Sequence, residues 1–237
     1  MDTKYPALRG ALLTLLTLFG GLLIGLVVGD LVFHILPGHN LENPSPAHMA
    51  IAALPALGGF LAGGAAWGVF VGRLAGAAES RRMALAGMLG FAPITIMLAV
   101  GLSFVETIAG TGPLAQLPIH RLFTLLFAPA AFLIAGVSAW AIGRGLRDRK
   151  LARTLFWQVG LTAGMTFLAV NLLMESLGWV VGAPGAAERA TMVTVLALSN
   201  LSAALAGGAV LGARLAAARQ ARATPGLASS AAHSQYQ

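Results

Sequence analysis

Residues 57–68 read Leu-Gly-Gly-Phe-Leu-Ala-Gly-Gly-Ala-Ala-Trp-Gly, and 144 residues later, at 201–212, the chain reads Leu-Ser-Ala-Ala-Leu-Ala-Gly-Gly-Ala-Val-Leu-Gly. Both copies lie in apolar runs long enough to cross a bilayer, for which about 20 residues suffice. Glycines stand four apart, at Gly64, Gly68 and Gly72 in the first copy and at Gly208 and Gly212 in the second. On a helix that spacing stacks them on one face. In lipid no hydrophobic force drives helices together, so close backbone approach over small residues is a main source of packing energy. These five glycines are therefore expected to be helix-packing positions.

The rest of the composition agrees with a membrane chain. Of 237 residues 57% are hydrophobic and 10% charged, and the mean hydropathy is +0.82, more apolar surface than a soluble core absorbs. Cysteine is absent, which excludes disulfides, thiolate metal sites and thiol redox chemistry. The apolar stretch after Arg9 is longer than a signal-peptide core and lacks a small-residue cleavage site, so it reads as a retained first span.

Six segments qualify as spans: 10–35, 49–72, 83–108, 121–143, 155–180 and 191–213. The connections between them are polar, charged or rich in Pro and Gly. Residues 1–222 are expected to form one six-helix domain, and 223–237, with neither apolar period nor charge, a disordered tail. The 144-residue spacing also aligns Gly20 with Gly164 and Gly38 with Gly182, so the first two spans read as a hairpin repeated in the last two. A middle hairpin fits at a spacing of 73, with Gly63 and Trp67 facing Gly136 and Trp140. The expected fold is all-α: a polytopic integral membrane protein of six transmembrane helices in two or three related helical hairpins. Pro55, Pro93 and Pro129 fall within spans and are expected to kink them.

An excess of Lys and Arg of this size also suits nucleic acid, but the positions of the charges assign it to topology. Lys4, Arg9, Arg73, Arg81, Arg82, Arg144, Arg147, Arg149, Lys150, Arg153, Arg214, Arg219 and Arg222 fall on one side of the six spans, and Arg121 and Arg189 on the other. The positive-inside rule then puts both termini in the cytoplasm of a cell with this protein in its inner membrane. No nucleic-acid partner is expected.

The acids distribute the opposite way. Asp30, Glu42, Glu106, Glu175 and Glu188 belong to the outer side, as do His34, His39, His48 and His120. Asp30, Glu106 and Glu175 lie in or at the edge of apolar runs, where an ionisable group costs roughly 2.5–3.5 kcal/mol at mid-membrane and so faces protein or water. Asp30 and His34 share a helix face, as do Asn171 and Glu175. Oxygen and imidazole donors suit divalent metals or protons. Asp30, His34, Glu106 and Glu175, helped by Asn171, are thus the candidate ion, proton or metal ligands.

One segment carries a resemblance. Gly-Asp-Leu-Val-Phe-His-Ile-Leu-Pro, Gly29 to Pro37, resembles a stretch of the zinc and iron permeases of the ZIP type, in which a glycine-acid pair precedes a His, a short apolar step and Pro. The resemblance covers nine residues of 237. The His-rich metal-binding helices of that family have no counterpart, Gly38 stands where the family has an acid after the Pro, and six spans replace the usual eight.

Enzymatic signatures are missing: no Gly-x-Ser-x-Gly, no His-Glu-x-x-His, no Gly-x-x-x-x-Gly-Lys. Paired histidines for haem are missing from the spans as well. No catalytic residue and no cofactor are expected. The first functional expectation is a permease, or permease subunit, for a cation or small solute, embedded in the lipid bilayer. The alternative is a non-catalytic subunit that assembles a larger complex, its glycine seams contacting a second copy or other membrane subunits.

Overall fold

A computed structural model of the protein describes residues 5–35, 46–93, 119–179 and 186–223. Glu42, Glu106 and the tail beyond 223 lie outside the described residues, so the expectations placed on them do too. The described residues form helices without strands: α1 (Pro6–Ile35), α2 (Pro46–Leu74), α3 (80–93), α4 (Ile119–Gly145), α5 (Arg149–Ser176) and α6 (Ala186–Ala223). Among them, five are long and apolar enough to cross a membrane.

Local chemistry sets the helix ends. Proline opens both α1 and α2, a position where its missing N–H is not needed and its fixed φ is already helical. Past the end of α2, Gly76 adopts φ +74°. Its N–H donates to the carbonyl of Arg73 at 3.1 Å, and that of Ala77 to Gly72 at 2.9 Å, the paired bonds of a Schellman turn. Gly178, at φ +73°, closes α5 in the same way, with Trp179 N–H donating to Met174 at 3.1 Å. The turn after α4 uses Arg147 at φ 59°, where a side chain costs energy that glycine avoids. The next residue, Asp148, caps α5: its Oδ1 accepts the Leu151 N–H at 2.9 Å. Residues 146–148 thus close one helix and open the next.

The helices are longer than the apolar runs. α5 starts at Arg149 and α6 ends at Ala223, against expected span limits of 155 and 213. Charge ends a hydropathic run but not a helix, and the Arg- and Ala-rich sequence at these ends favours helix. Pro55 and Pro129 lie inside α2 and α4, which continue through them.

Antiparallel neighbours close the helices into a ring. In α1, Gly21 and Gly25 straddle Gly59 of α2, where a Cβ would lie 2.7 Å from the Gly25 Cα. Gly64 and Gly68 of α2 straddle Gly87 of α3 in the same geometry, a Cβ on Gly87 lying 2.8 Å from the Gly68 Cα. Gly90 of α3 meets Ser138 of α4, and the Ser138 hydroxyl donates to the Gly90 carbonyl at 2.6 Å. α4 and α5 meet where Gly143 faces Ala152 and where Gly160 and Gly164 face Phe132. α5 packs on α6 through Val159, Ala163 and Gly207. The ring closes where Gly208 and Gly212 of α6 straddle Gly10 of α1, a Cβ there lying 2.7 Å from the Gly212 Cα. Gly72, by contrast, abuts the flexible Met83 side chain.

Small residues are concentrated at the helix contacts, while many large apolar side chains face outward. On α5 the buried face runs Ala152, Leu155, Val159, Gly160, Ala163, Gly164, Phe167 and Asn171, while Trp157, Leu161, Met165 and Leu172 are exposed. On α1, Leu12, Leu16, Leu23 and Val27 are exposed. An apolar perimeter of this extent is covered by something other than water. The half of the bundle nearest the arginines has a conventional packed core of Val71, Met83, Ile142, Leu155, Leu211 and Leu215.

Candidate functional site

The alternation of helix direction gathers the basic residues at one end. There Glu79 lies 3.6 Å from Arg82 and 3.7 Å from Arg147, and Asp148 lies 3.2 Å from Arg222. The Leu151 N–H, with the Arg222 guanidinium behind it, holds the Asp148 carboxyl below the ordinary aspartate value. These pairs are solvated and fasten helix ends, contributing little each.

At the other end the expected ligands go separate ways. His34 Nδ1 lies 2.8 Å from the Asp30 carbonyl oxygen and 3.6 Å from the Asp30 carboxylate, both side chains being more than half exposed on α1. Glu175 Oε1 accepts from Arg121 Nε at 3.0 Å and Nη2 at 2.9 Å, tying α5 to α4. Asn171 turns to the opposite neighbour, its Nδ2 donating to Ser199 Oγ of α6 at 2.8 Å, and is buried. α1 packs against α2 and α6, whereas α5 packs against α4 and α6, so Asp30 and Glu175 sit on helices that are not neighbours. Glu106 is outside the described residues. Among those described, no three His, Cys, Asp or Glu side chains are grouped to hold a metal ion.

What the ring does enclose is a central cavity of about 350 Å³, lined from all six helices. Phe60, Phe91, Phe127, Ile134 and Leu211 are among its apolar lining, and Thr14, Ser138 and Asn200 bring polar atoms to it. Among the described residues, no Asp, Glu, His, Lys or Arg lines it. Trp67, 2% exposed, packs on Phe91 with ring centroids 5.3 Å apart, and its indole N–H donates to Thr14 Oγ1 at 3.0 Å. That bond satisfies an indole that burial would otherwise penalise, and it leaves the threonine hydroxyl its own proton. Trp67 also belongs to the packed core of Val71, Met83, Ile142 and Leu215.

A volume near 350 Å³ is at the lower end of small-molecule sites, which are mostly apolar with a few placed polar groups. The described lining suits an uncharged ligand, because a bare ion would meet no compensating charge among those residues. Nothing in the sequence pointed to Thr14, Ser138 and Asn200 together, since they come from three helices without a common motif. No protein-family model, curated protein or solved structure matches the chain.

Proposed function

We propose that the chain is a multi-pass inner-membrane protein with cytoplasmic termini, and that it takes a small uncharged solute into its central cavity as a permease or permease subunit. The observation that carries this reading is the cavity itself, ringed by all six helices and, among the described residues, lined without an ionisable side chain. The apolar perimeter supports immersion in lipid, and the gathering of arginines at one end supports the orientation. The Gly64–Gly68 clasp on Gly87 has the geometry of the Gly208–Gly212 clasp on Gly10, which supports related hairpins.

Asp30 and His34, one turn apart on α1, favour a second reading in which a cation enters at the acidic end. Uptake into proteoliposomes separates the two. A panel of neutral solutes, with zinc and protons beside it, is measured for the wild type, for a cavity-filling Ala131→Phe, and for Asp30→Asn, Glu106→Gln and Glu175→Gln. Neutral-solute uptake abolished by Ala131→Phe and untouched by the acid variants is the expected outcome. Cation flux that follows the acids and ignores Ala131→Phe would establish the second reading instead. Absence of both fluxes would leave the assembly-subunit role.

A further inference from the structure

Glu79 and Asp148, the acids described at the arginine end, are already engaged, Glu79 with Arg82 and Arg147 and Asp148 with Arg222 and the Leu151 N–H. Arg144, Arg149 and Arg153 are exposed at the same end, and among the described residues no carboxylate reaches them. All three stand where α4 hands over to α5. Gly143 faces Ala152 across the seam between these antiparallel helices. Arg144 and Arg153 each follow that contact by one residue, and Arg149 precedes it by three. At about 1.5 Å of rise per residue, the three Cα atoms fall within about 6 Å of one another in height.

Two tryptophans fix the side of the seam. Trp140 lies between Gly136 and Gly143, the positions at which α4 meets Phe156 and Ala152 of α5, yet it is 45% exposed. The Arg144 guanidinium, one turn on, lies 5.7 Å over its ring. On α5, Trp157 packs on Phe132 of α4 with ring centroids 5.7 Å apart and is 51% exposed. Neither tryptophan lines the central cavity, so each forms an outer lip of the seam. Arg153 is one turn from Trp157 on the same face, and Arg149 one turn further. Each lip thus carries a tryptophan with arginine one turn nearer the arginine end.

We propose that the outer seam between α4 and α5 binds an anionic phospholipid, its phosphate held between Arg144 of one helix and Arg149 and Arg153 of the other, its acyl chains lying along Trp140 and Trp157. The site goes beyond the cavity reading and needs only the membrane placement stated with it. Charge and depth select the occupant. Guanidinium groups present paired N–H donors that match phosphate oxygens. Tryptophan settles at the headgroup level of a bilayer, and a basic side chain at the membrane surface raises affinity for an anionic lipid about fivefold. A zwitterionic lipid brings a cation of its own to the three arginines, whereas an anionic one does not. A soluble phosphate would gain nothing from the two indoles.

Trp157 reports on the seam directly. The protein carrying Trp67→Phe, Trp140→Phe and Trp179→Phe keeps it as the single tryptophan, and a companion keeps only Trp179, which is exposed at the opposite end of α5. Both are reconstituted in bilayers of phosphatidylcholine with graded fractions of phosphatidylglycerol, the acyl chains of one lipid or the other being brominated. Brominated phosphatidylglycerol is expected to quench Trp157 at a roughly fivefold lower fraction than brominated phosphatidylcholine, with no such preference at Trp179. Arg144→Gln, Arg149→Gln and Arg153→Gln together remove the preference. Arg81→Gln, Arg214→Gln and Arg219→Gln, equal in charge and at the same end, leave it in place.

Equal quenching of Trp157 by the two lipids would overturn the site, a result that needs no arginine variant to fold. Loss of the preference in both arginine triples alike would overturn it too, leaving only a general basic surface. Glycerol phosphate added from water tests a soluble occupant: the preference should survive it, and its abolition would replace the lipid by a soluble phosphate. If neither brominated lipid quenches Trp157 or Trp179, the membrane placement falls and the site with it. If both tryptophans are quenched without preference, the placement stands and the site alone falls.

Discussion

The indole N–H of Trp67 donates to the hydroxyl of Thr14 at 3.0 Å, joining α2 to α1 across the wall of the central cavity. Thr14→Val keeps the shape and removes the acceptor, leaving a buried indole unsatisfied at a cost of about 1–3 kcal/mol. A lower thermal midpoint and a shifted Trp67 emission maximum are expected for Thr14→Val, with Thr14→Ser close to wild type. Equal midpoints for valine and serine would show that the bond contributes nothing.

The glycine positions differ sharply in what a methyl group would meet. A Cβ on Gly68 would fall on the Met83 carbonyl oxygen and 2.9 Å from the Gly87 Cα, both backbone, so α2 and α3 must separate. A Cβ on Gly72 meets only the Met83 side chain, and one on Gly58 or Gly20 meets nothing within 4 Å. Gly68→Ala is expected to destabilise by about 2 kcal/mol or more, in the range of an overpacked core. Gly72→Ala should cost less, and Gly58→Ala and Gly20→Ala should be neutral or slightly stabilising. Denaturation of the four variants in one detergent tests the order.

Asp148 joins a helix cap to an ion pair at the turn between α4 and α5. Its Oδ1 takes the Leu151 N–H at 2.9 Å, and Oδ2 lies 3.2 Å from Arg222. Asp148→Ala should cost about 1 kcal/mol, mostly as the lost cap, since solvent screens the exposed arginine pair. Because the folded carboxyl lies below its ordinary value, its contribution is fully present above the unfolded value of about 3.9 and is lost as pH falls through the folded one. The stability difference between wild type and Asp148→Ala should therefore hold at neutral pH and shrink below about pH 4. Asp148→Asn should recover much of the loss, because asparagine caps as well as aspartate.

Gln158 on α5 has its Oε1 buried without a hydrogen-bond partner among the described residues. An unsatisfied buried carbonyl costs about 1–3 kcal/mol. Gln158→Met, of similar length, removes the group and is expected to raise the thermal midpoint. A lowered midpoint would mean that the oxygen has a partner in the folded protein, such as a bound water.

The glycine-rich stretches at 57–68 and 201–212 pointed to helices meeting backbone to backbone, because a four-residue glycine period fixes a face whatever the neighbour. The candidate site was less legible for the same reason. Helical spacing placed Asn171 and Glu175 near one face of α5, yet one reaches α6 and the other α4, since α5 lies between them and a few tens of degrees of rotation select the partner. Arg121, counted only as a topology exception, is the residue that engages Glu175. Thr14, Ser138 and Asn200 became visible as a set only once the ring had closed around them.

The meeting of Gly10 with Gly208 and Gly212 bears on how the molecule is made. A ribosome releases α1 long before α6 exists, so the glycine notch at Gly10 must wait bare until α6 arrives. Until that moment the nascent protein is an open horseshoe. Truncation within α6 would therefore hold it in a state that quality-control proteases are built to recognise.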